Sequence, residues 1–267
     1  MFADTEKRIA FAHRLADAAG AVILPYFRKP IEVDGKPTRS GMFDPVTEAD
    51  RRAEETMRKL IRDTFPDDAI LGEEFGDMPG RTAYRWVLDP IDGTRAFVAG
   101  QPMWGTLIAL EENGVPVFGL LDQPFLRERF IGLGKSAEMR DPQGVKPLKT
   151  RACAALSEAV VCTTHPMTHF SEEERARFHA VEERARLSRY GGDCYAYALV
   201  AMGFVDLVIE TNLKRWDVAA ILPIVDGAGG VVSDWSGNTI TGGGNIIAAG
   251  DARVHAEAVK ILSASGI

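Results

Sequence analysis

The chain has 267 residues, 46% of them hydrophobic, and a formal net charge of −7. This length suits one large domain or two compact halves with a substantial buried core. The acidic charge and the lack of a basic block argue against a nucleic-acid partner, and no apolar run approaches the roughly 20 residues that span a membrane. Charged residues interrupt the N-terminal region, so we expect no signal peptide and a cytoplasmic protein.

Two amphipathic helices are predicted near the start of the chain. Apolar residues recur at three- and four-residue spacing over residues 9–27, which indicates a helix that begins near Asp4. Thr47–Asp50 is similar to a capping box and precedes a second helical stripe over residues 53–61. Between the two helices, Gly, Pro and Ser in residues 34–45 predict a mobile loop.

A largely antiparallel sheet is predicted to follow these helices. An apolar strand is expected over Tyr84–Leu88. The strands predicted over Thr106–Leu110 and Val115–Leu121 flank Asn113-Gly114, a dipeptide typical of hairpin turns. Arg129–Leu133 is expected to add another antiparallel strand. The first half is therefore predicted to be two helices packed on this sheet.

The predicted elements alternate between strand and helix from about residue 150, which is typical of an α/β arrangement. Asp141–Gly144 is the predicted boundary. We expect residues 1–145 to form an α+β half with most of the metal ligands, and residues 146–267 to form an α/β half that supplies Asp217 and the substrate pocket. The strands predicted in this second half are Ala159–Cys162, Arg186–Tyr190, Val205–Glu210 and Val231–Asp234.

The segment Trp86–Thr94 carries the strongest chemical signal. Three apolar residues lead into two carboxylates, Asp89 and Asp92, and then into Gly93-Thr94. Acids at the end of a buried strand cost free energy unless they are paired, and bound cations would resolve this cost. Backbone amides at Gly93 and Thr94 are suited to an anion. The segment therefore predicts metal-assisted phosphate chemistry.

Three further acids occur where predicted elements begin or end. Glu73 follows a short apolar strand, Asp217 opens a helix, and Asp50 begins the second helix. Taken singly, Asp217 is equally typical of a helix cap, Glu73 of a solvated turn and Asp50 of a first helical turn. Carboxylate oxygens are hard ligands suited to Mg²⁺ or Mn²⁺, and the lack of His in these segments argues against zinc.

Taken together, these segments resemble the inositol monophosphatase family of metal-dependent phosphomonoesterases. The resemblance runs from about residue 5 to about residue 260 and implies a layered α-β-α-β-α sandwich, an α/β (α+β) fold, with the site between the halves. It also implies a homodimer and a small phosphomonoester as substrate. The motifs that carry it are Asp44–Asp50, Gly72-Glu73-Glu74, Trp86–Thr94, Trp216–Ala220 and Gly227–Gly230.

The resemblance also implies roles for individual residues. Glu73, Asp89 and the Ile91 carbonyl would hold one Mg²⁺, and Asp89, Asp92 and Asp217 a second. Glu73 would share a third ion, linked to Asp50 through water. The Gly93 and Thr94 amides would bind the phosphate, and Thr94, paired with Asp50, would orient the attacking water. The catalytic residues implied are Glu73, Thr94 and Asp50.

The choice of substrate depends on segments that differ from the inositol phosphatases. Arg95-Ala96-Phe97 and Gly191–Tyr197 look like the histidinol-phosphate phosphatase branch of the same family. This predicts hydrolysis of L-histidinol phosphate in histidine biosynthesis. The alternatives are an inositol-1-monophosphatase or broad-specificity phosphatase of the family and, from another class, a non-catalytic binding protein. The complete set of acids argues against the last.

Two further acids are candidate contacts of a cationic leaving group. Asp193 and Glu210 would place two carboxylates near the amine and imidazole of histidinol, although Asp193 is also typical of a helix cap and Glu210 of an exposed strand end. Arg95 is expected either to contact substrate or to pair with nearby acids. His165 and His169 are interpreted as ordinary loop residues. Met103 and Trp104 are expected to be exposed and available to a dimer interface.

Overall fold

The protein is represented by a computed structural model that describes residues 2–36 and 44–264. In the first half the described helices are α1 (Phe2–Ile23), α2 (Glu48–Thr64) and α3 (Thr94–Val98). The strands there are β1 (Val33–Lys36), β2 (Asp44–Thr47), β3 (Ala69–Gly72), β4 (Gly76–Met78), β5 (Tyr84–Asp92), β6 (Gly105–Glu112), β7 (Val115–Gln123), β8 (Glu128–Leu133), β9 (Ser136–Asp141) and β10 (Gly144–Pro147).

Strands β3 to β10 form an eight-stranded sheet in the order β10-β9-β8-β7-β6-β5-β3-β4. Its neighbouring strands are antiparallel except β3 and β5, which are parallel. The predicted antiparallel sheet is therefore confirmed. The mobile loop expected over residues 34–45 is wrong at both of its ends, where β1 and β2 pair as antiparallel strands. Residues 37–43, the rest of that expected loop, lie outside the described part of the chain.

The second half contains a smaller sheet. Its described helices are α4 (Pro166–His169), α5 (Glu172–Glu182), α6 (Asp193–Ala201), α7 (Arg215–Ala219), α8 (Ile221–Gly227) and α9 (Ala252–Leu262), with a short 3₁₀ turn at Leu156–Glu158. The strands β11 (Val160–Thr163), β12 (Leu187–Tyr190), β13 (Leu207–Leu213), β14 (Val231–Asp234) and β15 (Gly244–Ala249) lie in the order β12-β11-β13-β15-β14. Strand β11 runs parallel to both of its neighbours, whereas β15 is antiparallel to β13 and β14.

Local sequence explains several element boundaries. The backbone N–H of Thr47 donates to Asp50 at 2.8 Å, so the predicted capping box begins α2. Asn113 and Gly114 both have positive φ, 53° and 78°, as a tight hairpin between β6 and β7 requires. The helix predicted to open at Asp217 begins two residues earlier, at Arg215.

The elements stack in five layers. Helices α1 and α2 cover one face of the large sheet, where Trp86 and Leu88 of β5 point, while Val87 points to the opposite face. Helices α6 and α8 fill the space between the two sheets. Helices α5 and α9 cover the outer face of the small sheet, where Leu207 and Ile209 point. This is the predicted α-β-α-β-α sandwich.

Trp104 was expected to be exposed but is fully buried, because its ring packs 5.0 Å from Phe97 and 5.2 Å from Phe27 between ring centroids. Met103 is partly buried. The Asp141–Gly144 segment forms the hairpin between β9 and β10, and β10 continues the large sheet to Pro147. The division into halves at residue 145 stays a prediction.

None of the helices within residues 2–36 and 44–264 is both long enough and apolar enough to cross a lipid bilayer.

Candidate metal and phosphate site

Three carboxylates from two parts of the chain meet at the end of β5. Each of Asp89, Asp92 and Asp217 offers an oxygen within 4.8 Å of the others. Asp89 and Asp92 flank an irregularity in the pairing of β5 with β6, which turns the end of the strand. Asp217 arrives on α7, where its Oδ2 accepts the Lys214 backbone N–H at 2.6 Å. Asp217 therefore both supports the first turn of α7 and faces the acids of β5.

The electrostatics of this cluster are unfavourable without a cation. Burial, together with the negative charges of Glu73, Asp92 and Asp217, raises the pKa of Asp89 well above its usual value. Burial and the negative charge of Asp92 also raise the pKa of Asp217 well above its usual value. The pKa of Asp92 is raised to about 6, mainly by burial, although the Cys194 amide that donates to it opposes the shift.

The cluster fits a hard divalent cation. The Asp89 side chain is 2% exposed, and its Oδ1 accepts no hydrogen bond from any residue in the described ranges. A buried carboxylate oxygen without a donor is destabilising unless another positive group approaches it. An all-oxygen donor set is the kind that Mg²⁺ and Mn²⁺ prefer.

Glu73 and Ile91 border the same cavity, which measures about 330 Å³. Glu73 follows β3, and its backbone N–H donates to the Leu88 carbonyl of β5 at 3.2 Å. The Ile91 side chain is buried, while its carbonyl oxygen accepts the Thr94 hydroxyl at 3.0 Å. The structure therefore brings all five predicted metal-binding positions to one cavity.

The turn after these acids places Thr94 beside Asp50. Gly93 precedes α3 with φ +86°, a left-handed conformation that favours glycine. The Thr94 hydroxyl lies 3.5 Å from Asp50 Oδ1. Asp50 is 1% exposed, and its other oxygen accepts the Thr47 backbone N–H at 2.8 Å and the Thr47 hydroxyl at 2.5 Å. The structure therefore brings Thr94 and Asp50 together, and Thr94 lines the cavity that also contains Asp89, Asp92 and Asp217.

The two candidate acids for the leaving group line the same cavity. Glu210 on β13 is 3% exposed, so the interpretation as a surface residue is wrong. Its Oε1 accepts the Thr164 backbone N–H at 2.5 Å and the Thr164 hydroxyl at 2.8 Å, yet burial still raises its pKa to about 8. Asp193 is the first residue of α6, and Gly192 occupies the N-cap position. Burial and the charge of Asp92 raise the pKa of Asp193 to about 7.

Arg95 on α3 contacts α4 at the rim of this cavity. Its Nη1 lies 2.8 Å from His169 Nε2 and 3.5 Å from the Thr168 hydroxyl. Its positive charge also acts to lower the pKa of Asp193. His169 ends α4 and lines the cavity, so its interpretation as an ordinary loop residue is wrong, whereas His165 is exposed.

Sequence reasoning missed several other residues that line the cavity, among them Thr164, Tyr197, Thr211 and Trp216. A signal existed for Tyr197, because it follows Asp193 by four residues and shares its face on a helix that begins at Asp193. The Tyr197 hydroxyl is buried and has no hydrogen-bond partner among the described residues. No local pattern pointed to Thr164, which reaches the cavity through its contacts with Glu210.

Comparison with known proteins settles the family. The sequence model of the inositol monophosphatase family matches residues 4–266. The chain belongs to this family. It is therefore a phosphatase of a metal-dependent family, and the family recognised from the sequence motifs is confirmed.

The similar proteins include both histidinol-phosphatases and inositol monophosphatases. The chain is 43% identical to the chloroplastic bifunctional phosphatase IMPL2 of Arabidopsis thaliana, over 97% of this chain and 76% of the relative. It is 36% identical to a histidinol-phosphatase of Chlorobaculum parvum, over 91% and 92% of the two chains. A solved inositol monophosphatase from Zymomonas mobilis has a TM-score of 0.85 and 41% identity, covering 97% and 98% of the two chains. The layered fold is thereby confirmed.

Proposed function

We propose that this protein is a Mg²⁺-dependent phosphomonoesterase that hydrolyses L-histidinol phosphate to L-histidinol and phosphate in histidine biosynthesis. The observation that carries the choice of substrate is the position of Asp193 and Glu210. Both carboxylates line the cavity that also contains the Asp89, Asp92 and Asp217 cluster. Histidinol carries an amine and an imidazole. A cation that approaches Asp193 and Glu210 favours their ionised forms, so these walls suit it better than a neutral polyol.

The proposed metal ligands are Glu73, Asp89, Asp92, Asp217 and the Ile91 carbonyl, for two or three Mg²⁺ ions, with Mn²⁺ as an alternative ion. When bound, Mg²⁺ supplies positive charge for the phosphate oxygens and lowers the pKa of water. The acidic walls alone would repel a phosphate, so substrate binding requires this reversal of the local charge.

The residues around Thr94 are proposed to orient the reactants. The Gly93 and Thr94 amides bind the phosphate, and the Thr94 hydroxyl with Asp50 holds the attacking water. This role is supported by the 3.5 Å separation of Thr94 Oγ1 and Asp50 Oδ1. The Thr47 hydrogen bonds to Asp50 fix the direction of that carboxylate. Arg95 is proposed as a further substrate contact at the rim.

A second candidate is an inositol-1-monophosphatase or a broad-specificity phosphatase. It is favoured by the Zymomonas mobilis structure, whose 41% identity exceeds that of the Chlorobaculum parvum histidinol-phosphatase. We also propose a homodimer in the cytoplasm, to be tested by light scattering and by cell fractionation. A non-catalytic binding protein is disfavoured because the chain belongs to a phosphatase family.

The test is kcat/KM for phosphate release from L-histidinol phosphate and from inositol 1-phosphate. We expect the wild type to prefer histidinol phosphate. Asp193→Asn should reduce this preference by about tenfold, the effect of losing one charge-assisted contact. Asp226→Asn, which changes an exposed acid on α8, is the matched control and should leave the preference unchanged. A wild type that prefers inositol 1-phosphate would establish the second candidate instead.

A further inference from the structure

Glu54 is a buried carboxylate that none of the proposed roles uses. It lies on α2, one helical turn after Asp50, and its side chain is fully buried. Arg58, one turn further on, donates from Nε to Glu54 Oε1 at 2.7 Å. A buried charge is tolerated only when it is paired and hydrogen-bonded, so the Glu54–Arg58 pair has a local reason to exist.

The remaining hydrogen bonds of Glu54 reach the turn between β3 and β4. Its Oε2 accepts the backbone N–H of Glu74 at 2.7 Å, and its Oε1 accepts that of Phe75 at 3.2 Å. Charged acceptors form the stronger class of hydrogen bond to backbone amides. Arg58 donates in addition to the carbonyl of Gly76, the first residue of β4. The Glu54–Arg58 pair therefore hydrogen-bonds to three consecutive residues, the last two of this turn and the first of β4.

Glu54 also packs against the residue before Glu73. A β-carbon built on Gly72 would lie 2.0 Å from Glu54 Oε1, so the carboxylate occupies the space that a side chain would need. Both sequence neighbours of Glu73 therefore contact Glu54: Gly72 packs on its carboxylate, and the Glu74 backbone N–H donates to that carboxylate. On the opposite side, the Glu73 N–H donates to Leu88 of β5.

We infer that Glu54 is a positioning residue for the metal centre: through the backbone of residues 72–75 it fixes the direction in which Glu73 faces Asp89. This inference rests on the proposed function, in which Glu73 is a metal ligand. Asp50 and Glu54 lie on one face of α2. Through these two side chains the same helix contacts Thr94 at the start of α3 and the turn between β3 and β4 that contains Glu73.

The test measures metal binding directly. Mn²⁺ is titrated into the metal-free protein, and the free ion is followed by its EPR signal. Residues that hold a ligand in place affect metal affinity by about 10- to 100-fold. We therefore expect Glu54→Gln, which keeps the shape but removes the charge, to weaken Mn²⁺ binding by about tenfold while the protein stays folded by circular dichroism. Glu54→Ala, which removes the acceptor entirely, should weaken it further.

Asp68→Asn is the matched control. Asp68 is equally buried and pairs with Arg8 at 2.7 Å, but its other side-chain contacts are with Thr82 and Trp86. We expect Asp68→Asn to lower the melting temperature without weakening Mn²⁺ binding. Equal Mn²⁺ affinity in Glu54→Gln and Asp68→Asn would overturn the inference and leave Glu54 a purely structural role.

A third variant separates this inference from the proposed function. Asp89→Asn removes a proposed ligand at the centre of the cluster and should abolish tight Mn²⁺ binding. If Asp89→Asn binds Mn²⁺ as the wild type does, the metal assignment itself is wrong. If Asp89→Asn loses binding while Glu54→Gln matches the control, only the positioning role of Glu54 fails.

Discussion

Gly93, which follows β5, and Asp193, the first residue of α6, pack against each other. A β-carbon built on Gly93 would lie 3.0 Å from the β-carbon of Asp193 and 3.2 Å from the Met103 carbonyl oxygen. Gly93 also has φ +86°, where other residues are strained. The proposed phosphate-binding turn and the proposed specificity acid are therefore in direct contact, and the absence of a side chain at position 93 permits it.

Gly93→Ala should impair both stability and activity. The left-handed backbone costs about 1–2 kcal/mol for a residue with a β-carbon, and the contact with Asp193 must also be relieved. We expect kcat at saturating Mg²⁺ to fall by about tenfold or more, since small displacements of a reacting group are costly. Gly134→Ala is the control, because Gly134 has φ +58° but open space around it. It should lose only the stability that the left-handed backbone costs, less than Gly93→Ala loses, and keep its kcat. The same kcat in both variants would contradict the prediction.

Chelation of the metal should destabilise the protein more at pH 8 than at pH 5. The raised pKa values of Asp89, Asp92 and Asp217 mean that the metal-free native state binds more protons than the unfolded state. Its stability therefore falls as the pH rises from about 4 through these raised pKa values. Thermal melts with EDTA or Mg²⁺ measure the effect. The Mg²⁺-induced rise in melting temperature should be larger at pH 8, and an equal rise at pH 5 would be incompatible with proton–metal competition.

Glu210→Gln should change how stability depends on pH in the metal-free protein. The pKa of Glu210 is raised to about 8 from 4.5, so the wild type loses stability from this group as the pH rises between about 4.5 and 8. The amide does not titrate, and its hydrogen bonds to Thr163 and Thr164 can be kept. The unfolding free energy of the variant, relative to that of the wild type, should therefore increase as the pH rises across this range. A pH-independent difference in urea unfolding would count against a buried, proton-binding Glu210.

Tyr197→Phe should leave the unfolding free energy unchanged or raise it by up to about 1 kcal/mol. The Tyr197 hydroxyl is buried without a hydrogen-bond partner in the described ranges, so its removal sacrifices no protein hydrogen bond. Tyr195→Phe on the same helix is the control, because the Tyr195 hydroxyl donates to Glu128. That variant should lose about 1–2 kcal/mol in urea unfolding. Equal losses in the two variants would show that the Tyr197 hydroxyl is also paired.

Features that depend on neighbouring residues were predicted well. The capping box at Thr47–Asp50 and the hairpin at Asn113-Gly114 are local, because turn and cap geometry follow from a few adjacent residues. The alternation of the second half was predicted, but β15 and α9 were not, and β15 makes the small sheet mixed rather than parallel. The glycines at 242–244, where β15 begins, give no alternating pattern from which a strand could be predicted.

Features that depend on burial were predicted poorly. Glu54 and Arg58 have the spacing of an ordinary solvated helix pair, yet α2 turns them towards the β3–β4 turn and buries them. Trp104 was expected on the surface and lies in the core, whereas Glu210 on the end of a predicted strand lies deep in the cavity. Whether a side chain meets solvent is decided by elements distant in sequence.

By itself the sequence determined which acids this protein carries, their order and the family to which it belongs, because these are properties of short motifs. Only the tertiary structure decided that Asp217 from the second half meets Asp89 and Asp92 within 4.8 Å. It also decided that Asp193 and Glu210 share their cavity. The physical reason is that the pairing and desolvation of charges are set by long-range packing of the two sheets, which a local pattern cannot encode.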